Sequence, residues 1–357
     1  MKDVLLVSDV AGWAWHRRCE GIATYAPADY RCRVSVENEA GRIFLQQFEA
    51  VLWSSWPTCP LLPHHGQWAL VANAGCMYEE GDRSTLQART ASKRKNLRTA
   101  RKRLPHFQGL VVINHRCLDF CRDLNRHAVY LRTGVDCGAF YSDRLAGSER
   151  PLFRLTVGWC GKPTVRDRFS PKGYHEVLLP LVEHLRKERN LSVAVAQDDG
   201  TRAKLTGVDK GGDILFRLNT RTSDRALATE AMRKWHEVND VFLVTSCSEG
   251  TPSTALEAMA CGRMVVGTTV GILPEVVTEN HKAASLVPCY SQPTHTRSIV
   301  TALGDELVRL TKDLDEVRYR GAEAREVVQT KFNWSVLSKV WLEVLTNGRV
   351  ITPGSGY

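Results

Sequence analysis

Short apolar runs recur along this chain at spacings that leave room for a helix between each pair, and that rhythm confines it to few folds. "DVLLVSDV" (Asp3 to Val10), "FEAVLWSSWP", "WALVANAG", "GLVVINH" and "AVYLRTGVD" form a first series. "LFRLTVGWCG", "LSVAVAQDDG", "GDILFRL", "DVFLVTSCSEG" and "RMVVGTT" form a second. Runs of this length, bounded by turn residues and separated by helical stretches, predict buried parallel strands with crossover helices. The polar, turn-rich "YSDRLAGSERPLF" lies between the two series, which puts a domain boundary near Ser148. The expected organisation is an N-terminal α/β domain over residues 1–147 and a second over 148–330. From Ile299 to Leu345 apolar residues recur every three or four positions, so the chain closes on helices, the last in residues 331–357. At 357 residues the length suits two domains. Tandem domains of this class hold ligands outside the carboxyl ends of their strands.

Composition removes several function classes. With 43% hydrophobic residues and nine Trp, the chain has core material throughout. No stretch approaches the roughly 20 apolar residues of a membrane span. The eleven cysteines are scattered without a CxxC pair, and "MKDVLLVSDVAG" has no secretory h-region, which predicts a cytoplasmic chain with buried thiols. Cys117 and Cys121 sit four apart, but no His or Cys pair of matching spacing accompanies them, so core packing is expected rather than zinc.

The most informative stretch is "DVFLVTSCSEGTPSTALEAMACGRMVVGTTVGILPEVV", Asp240 to Val277. A β-like run ends at Ser246, a tight turn follows, and a helix is expected from Thr251, capped by it, with Pro252 in the first helical position and its end at Gly262. A helix N-terminus offers backbone N–H groups to phosphate oxygens. Glu249 and Glu257 are acceptor-only carboxylates suited to sugar hydroxyls, so a phosphate flanked by hydroxyl-bearing groups fits a nucleoside diphosphate sugar. An ordinary βα unit, with Glu249 a loop charge and Glu257 a solvated helix residue, has the same spacing.

This stretch resembles the donor-site signature of the retaining glycosyltransferases of family four. The match runs through Glu249, Gly250, Glu257, Ala258, Ala260, Gly262, Gly271, Pro274 and Glu275. "LRTGVDCGAF", "MRKWHEVNDVFLVTS" and the closing "FNWSVLSKVW" are similar to other family segments, the last to a helix that crosses back to the first domain. The resemblance implies a GT-B fold: two Rossmann-like, doubly wound α/β domains facing a central cleft. It implies that Glu249 contacts the donor sugar, that Glu257 holds ribose hydroxyls, and that Gly250, Thr251, Pro252, Ser253 and Thr254 present their backbone to the diphosphate. It also implies a Lys and an Arg on the departing diphosphate. Lys172, followed by Gly173, matches the Lys; the Arg position falls on Asp167, leaving Arg166 and Arg168, with Lys162 a third candidate. Gly12 occupies the family's glycine loop after strand one, where Trp13 and Trp15 could stack on a ligand or simply be buried. The family's cleft His has no counterpart in "WALVANAGCMYEEGD", and His64, His65 and His115 are nearby but unmatched.

No nucleophile with an adjacent base is evident, so front-face substitution with retention is expected, with Lys172 and Glu249 as the reacting-centre residues. The Asp313-x-Asp315 pair falls in the helical tail, which predicts no catalytic metal. No tightly bound cofactor is expected, and a nucleotide diphosphate sugar, UDP-sugar first, is the co-substrate.

The acceptor is addressed by charge. From Arg83 to Arg103 there are nine Lys or Arg and no carboxylate, which equals the net charge of +9 of the whole chain. Residues 1–150 carry a net +6 and the rest +3. A helix from Ser92 would place Leu97, Ala100 and Leu104 on one stripe and spread Lys93, Arg94, Lys95, Arg98, Arg101, Lys102 and Arg103 over the remainder. Lys93, Arg94, Arg98, Arg101 and Lys102 form the candidate polyanion surface. Hydroxymethylated DNA, as modified by phage-type enzymes in a host cytoplasm, is the favoured acceptor. An anionic membrane presenting a lipid or glycan is the alternative, and a small molecule the third. A non-catalytic nucleic-acid-binding protein with a GT-B-like fold is the reading from another class.

Overall fold

The computed structural model describes residues 1–11, 14–40, 43–54, 56–59, 66–72, 91–142, 154–161, 172–196, 215–216, 225–247, 249–288 and 296–348. Within 91–96, 215–216 and 225–228, and at Arg116, it describes only the backbone. The chain divides into two compact units, one made of Met1–Gly134 and Lys331–Tyr357, the other of Val135–Thr330. The division falls at Gly134, upstream of the Ser148 suggested by the polar run; residues 143–153 lie outside the described residues.

In the first unit the order is β1 (Lys2–Ser8), α1 (Ala14–Thr24), β2 (Tyr30–Val36), α2 (Glu37–Ala40), β3 (Ala50–Trp53), β4 (Gln67–Val71), α3 (Ala91–Arg103), β5 (Gly109–Val112), α4 (Leu118–Leu124) and β6 (Ala128–Tyr130). Among the described residues the parallel sheet runs β2-β1-β3-β4-β5-β6. Consecutive strands go out on one side of β1 and return on the other, so the loop after β1 leaves at the point where strand order reverses. Gly12 and Trp13 of that loop lie outside the described residues. The start of α1 is tied to the strand end, where Ser8 Oγ stands 2.9 Å from His16 Nδ1. Glu20 is 3.5 Å from the other ring nitrogen. Ser8 is fully buried, so this Ser-His-Glu row anchors the helix and presents no nucleophile. Trp15 lies under the Arg18 guanidinium, 4.6 Å from its ring.

The strand β2 escapes the apolar-run reading. It is an edge strand whose Arg31 and Arg33 face solvent, so it alternates instead of reading as a hydrophobic block.

In the second unit β7 (Leu155–Cys160), α5 (Leu179–His184), β8 (Leu191–Ala196), β9 (Leu215–Phe216), α6 (Arg225–Glu237), β10 (Val241–Val244), α7 (Ser253–Ala260), β11 (Met264–Thr268), α8 (Leu273–Glu279), β12 (Ala284–Val287), α9 (Thr296–Leu310) and α10 (Leu314–Lys331) follow. The described sheet runs β12-β11-β10-β7-β8-β9, again parallel, with its reversal between β7 and β10. Both sheets have the expected doubly wound α/β form. Asp240 locks the reversal: its carboxylate accepts the Thr156 N–H at 2.8 Å, and its own N–H donates to Thr156 O at 2.8 Å. The chain closes on α11 (Trp334–Asn347), which belongs to the first unit and packs on α1. Trp334 and Trp341 are buried there, Trp341 Nε1 donating to Arg132 O at 2.8 Å.

The described cysteines divide: Cys32, Cys137, Cys160 and Cys247 are half-buried. Cys19, Cys59, Cys117, Cys121 and Cys261 are free and buried. Burial pushes the Cys19 and Cys261 thiols up to about 12, and Cys121 higher still. Among the described residues no cluster of His, Cys, Asp or Glu could hold a metal ion. None of the described helices is long and apolar enough to cross a membrane.

Candidate functional site

The two strands at the reversal of the second sheet each send a loop from their carboxyl end. After β7 the chain returns at Lys172, and Gly173 follows with φ of 67°, a left-handed conformation that favours glycine. A wide turn of π type then runs through Tyr174–Leu178 into α5, with the Val177 and Leu178 N–H groups both on Gly173 O. After β10 the chain passes through Thr245 and Ser246 to Glu249.

These loops bring Lys172 and Glu249 into an ion pair of 2.6 Å, with the lysine side chain 37% exposed and the glutamate 12%. Burial works against the Lys172 ammonium, but the adjacent Glu249 carboxylate outweighs it and lifts the lysine above its ordinary value. Ser246 Oγ donates to the same Glu249 oxygen at 2.7 Å.

The helix of this site departs from the expected start. Its first residue is Ser253 and Pro252 is the N-cap, with no side-chain cap. The Ser253 N–H donates to Thr251 O at 2.9 Å, which draws residues 251–253 into a tight turn and takes Thr251 out of a capping position. The Thr251 hydroxyl oxygen is buried and makes no hydrogen bond among the described residues. The other end matches expectation: Gly262 has φ of 75°, and the Gly262 and Arg263 N–H groups close back on Met259 and Ala258 carbonyls. Glu257 is 5% exposed, which removes the solvated-face reading. Its Oε2 lies 3.8 Å from Nε2 of fully buried His236.

Gly271 connects the second half of the motif to the first. A Cβ there would lie 2.8 Å from Pro252 Cδ and 3.1 Å from Gly250 O, at φ of +55°. The "GILPE" loop therefore needs glycine because the "EGTP" turn packs directly on it.

Of the sequence-selected residues, Lys172, Glu249, Gly250, Thr251, Pro252, Ser253, Thr254 and Glu257 are described in this unit. Arg166, Arg168, Lys162 and Gly12 lie outside the described residues. Asp313 accepts the Glu316 N–H at the start of α10, and Asp315 pairs with Arg318 at 2.7 Å, so neither lies at a strand end. Sequence reading missed Thr245, Ser246, Trp159 and His236. The first two stand beside Glu249 in the quoted motif, but only their contacts give them a role.

In the first unit α3 is the crossover helix between β4 and β5. Ala100 and Leu104 are fully buried and Leu97 packs on the same core, which is the predicted stripe. Arg98, Arg101 and Lys102 are exposed. Arg103 is a correction: it turns inward, donating to Trp56 O at 2.9 Å and to Cys59 O, and ties the helix end to the loop after β3. Lys93 and Arg94 lie in the helix, their side chains outside the described residues.

Residues 168–309, which span this site, match the family model described as Glycosyl transferases group 1. Alpha-maltose-1-phosphate synthase of Mycolicibacterium smegmatis is 30% identical over 118 residues, 33% of this chain and 30% of that protein. The match thus spans under a third of the length of that curated relative. Sucrose-phosphate synthase from Thermosynechococcus elongatus superimposes with a TM-score of 0.67 at 14% identity, covering 97% of this chain and 98% of that one. Anabaena HepE, solved with UDP-glucose, does so with a TM-score of 0.66 at 11% identity, covering 97% and 100%. The fold is GT-B. In this GT-B chain the segment matching the group 1 glycosyl transferases contains Lys172, Glu249, Glu257 and Gly271.

Proposed function

We propose that this chain is a retaining glycosyltransferase that moves a sugar from a nucleoside diphosphate sugar, UDP-sugar first, to an acceptor hydroxyl. The observation that carries the reading is the Lys172 to Glu249 pair at the carboxyl ends of the reversal strands. An ammonium and an acceptor-only carboxylate held side by side suit a ligand in which phosphate adjoins a polyol. HepE, a structural neighbour, is described in complex with UDP-glucose.

In this reading Lys172 takes the diphosphate, where negative charge grows as the glycosidic bond breaks. Glu249 turns to a sugar hydroxyl and Glu257 to the ribose, while Gly250 to Thr254 line the diphosphate and the Thr251 hydroxyl gains a partner. The departing phosphate oxygen takes the acceptor's proton, and the acceptor oxygen bonds the anomeric carbon on the face the diphosphate leaves. Charge compensation falls to Lys172, with no divalent metal, because the one Asp-x-Asp among the described residues lies at the start of α10 and not at a strand end.

The acceptor is a polyanion, DNA carrying hydroxymethylated bases first, docking on Arg98, Arg101 and Lys102 in the cytoplasm. Those side chains are exposed on a helix whose described residues include no carboxylate.

The test is incubation with radiolabelled nucleotide sugars against hydroxymethylated DNA, plain DNA and anionic vesicles, with and without chelator. Label in hydroxymethylated DNA, insensitive to chelation, is expected. Label in vesicles alone would reassign the acceptor to a membrane lipid or glycan. Nucleic-acid binding with neither transfer nor donor hydrolysis would leave a non-catalytic binding protein.

A further inference from the structure

Thr245 follows the last residue of β10 and is fully buried. Its hydroxyl is engaged on both sides: Trp159 Nε1 donates to Oγ1 at 2.9 Å, and Oγ1 donates to Lys172 O at 2.7 Å. The direction is fixed by chemistry, since an indole N–H can only donate and the threonine has a single proton to give. Trp159 belongs to β7, so the network crosses the strand reversal and suspends the Lys172 turn from it. Ser246, the next residue, bonds Glu249 Oε1. Consecutive side chains at the end of β10 thus hold the two halves of the ion pair, one through the backbone of Lys172 and the other through the carboxylate of Glu249.

We infer that Thr245 is a positioning residue for donor binding, its hydroxyl setting where the Lys172 ammonium meets the donor diphosphate. The inference rests on the assignment of Lys172 to that diphosphate. A lysine reaching from an irregular turn has several rotatable bonds, so its aim depends on where its own backbone is pinned. Valine, nearly the shape of threonine, leaves both the indole N–H and the Lys172 carbonyl without that partner.

The experiment is a thermodynamic cycle by calorimetric titration. UDP, GDP and ADP are titrated and the tightest is used with wild type, Thr245→Val, Thr245→Ser, Lys172→Ala and the Thr245→Val/Lys172→Ala double variant. Thr245→Val should bind about tenfold more weakly, the size of one buried hydrogen bond. Thr245→Ser, which keeps the hydroxyl, should restore binding to within about twofold. The double variant should bind no more weakly than Lys172→Ala alone, because a loss transmitted through Lys172 vanishes with it, whereas a general structural defect adds. Wild-type affinity in Thr245→Val beside a weakened Lys172→Ala overturns the inference alone, as does additivity. Wild-type affinity in Lys172→Ala, or no binding of any of the three nucleotides by the wild type, removes the donor assignment itself. Should Thr245→Val not fold, Thr245→Ala carries the same cycle. If neither folds, Thr245 serves stability and the inference falls.

Discussion

Lys172 and Glu249 stand 77 positions apart in the chain, yet the fold sets the ammonium against the carboxylate. A diphosphate arriving at Lys172 must compete with that carboxylate. Glu249→Gln removes both the competing charge and its repulsion of phosphate, so UDP should bind about two- to fivefold more tightly than to wild type. The preference for UDP-glucose over UDP should fall in the same variant, because the strong hydroxyl acceptor is gone. Parallel titrations of the two ligands check this; unchanged UDP affinity would mean that the pair imposes no cost on binding. The pair also has a defined pH window. Lys172 is raised above its ordinary value of 10.5 by Glu249 against the effect of burial. A raised lysine contributes stability that is fully present below the unfolded value and is lost only as pH rises through the folded one. The Tm difference between wild type and Lys172→Met should therefore stay constant from about pH 7 to about pH 10 and shrink only beyond.

Elements are positioned in this chain by close approaches that only glycine permits. Gly271 lets the loop before α8 pack on the turn before α7. Gly271→Ala would force a Cβ against Pro252 Cδ at a left-handed φ, which should cost about 1–3 kcal/mol, read as a denaturant midpoint shift at unchanged slope. It should weaken UDP binding as well, because the displaced backbone is that of Gly250 to Pro252. Gly21 plays a comparable part in the first unit, where a Cβ would run into the Trp334 indole, so α1 and α11 could not meet as they do. At this scale the sequence is legible where burial enforces a pattern. Strands covered on both faces read as apolar runs, and the Leu97, Ala100, Leu104 stripe reads as a helix face. It is not legible where contact rather than periodicity decides. The edge strand β2 alternates with arginines, and β12 is four residues long with only Ala284 buried. The Thr251 cap does not form because a tight turn through its own carbonyl replaces it. Thr245 and Ser246 are plain motif neighbours until their hydroxyls are placed against Lys172 and Glu249.

For the whole molecule the deciding quantity is where its net charge of +9 lies, and the N-terminal 150 residues carry most of it. Part of the charge on α3 has a local cause. Arg101, Lys102 and Arg103 lie in its last turn, where cations oppose the partial negative charge of the helix end, and Arg103 is committed to backbone carbonyls. Neither role needs Arg98, Arg101 and Lys102 to remain exposed with no carboxylate among the described side chains of the helix. Replacing those three with Gln keeps helix propensity and leaves the buried stripe intact. If they meet phosphates, the slope of log affinity against log salt for duplex DNA should fall in magnitude by about 2–3, close to 0.9 for each phosphate no longer neutralised. The proposed donor site shares no residue with them, so UDP affinity should remain at the wild-type value, while Tm should fall only by the few degrees that losing two cations at the helix end brings. Filter binding across a salt series, with calorimetry on the same preparations, separates the outcomes. An unchanged slope would assign the charge to helix-end stabilisation and solubility, and a parallel loss of UDP binding would mean that the substitutions had damaged the fold.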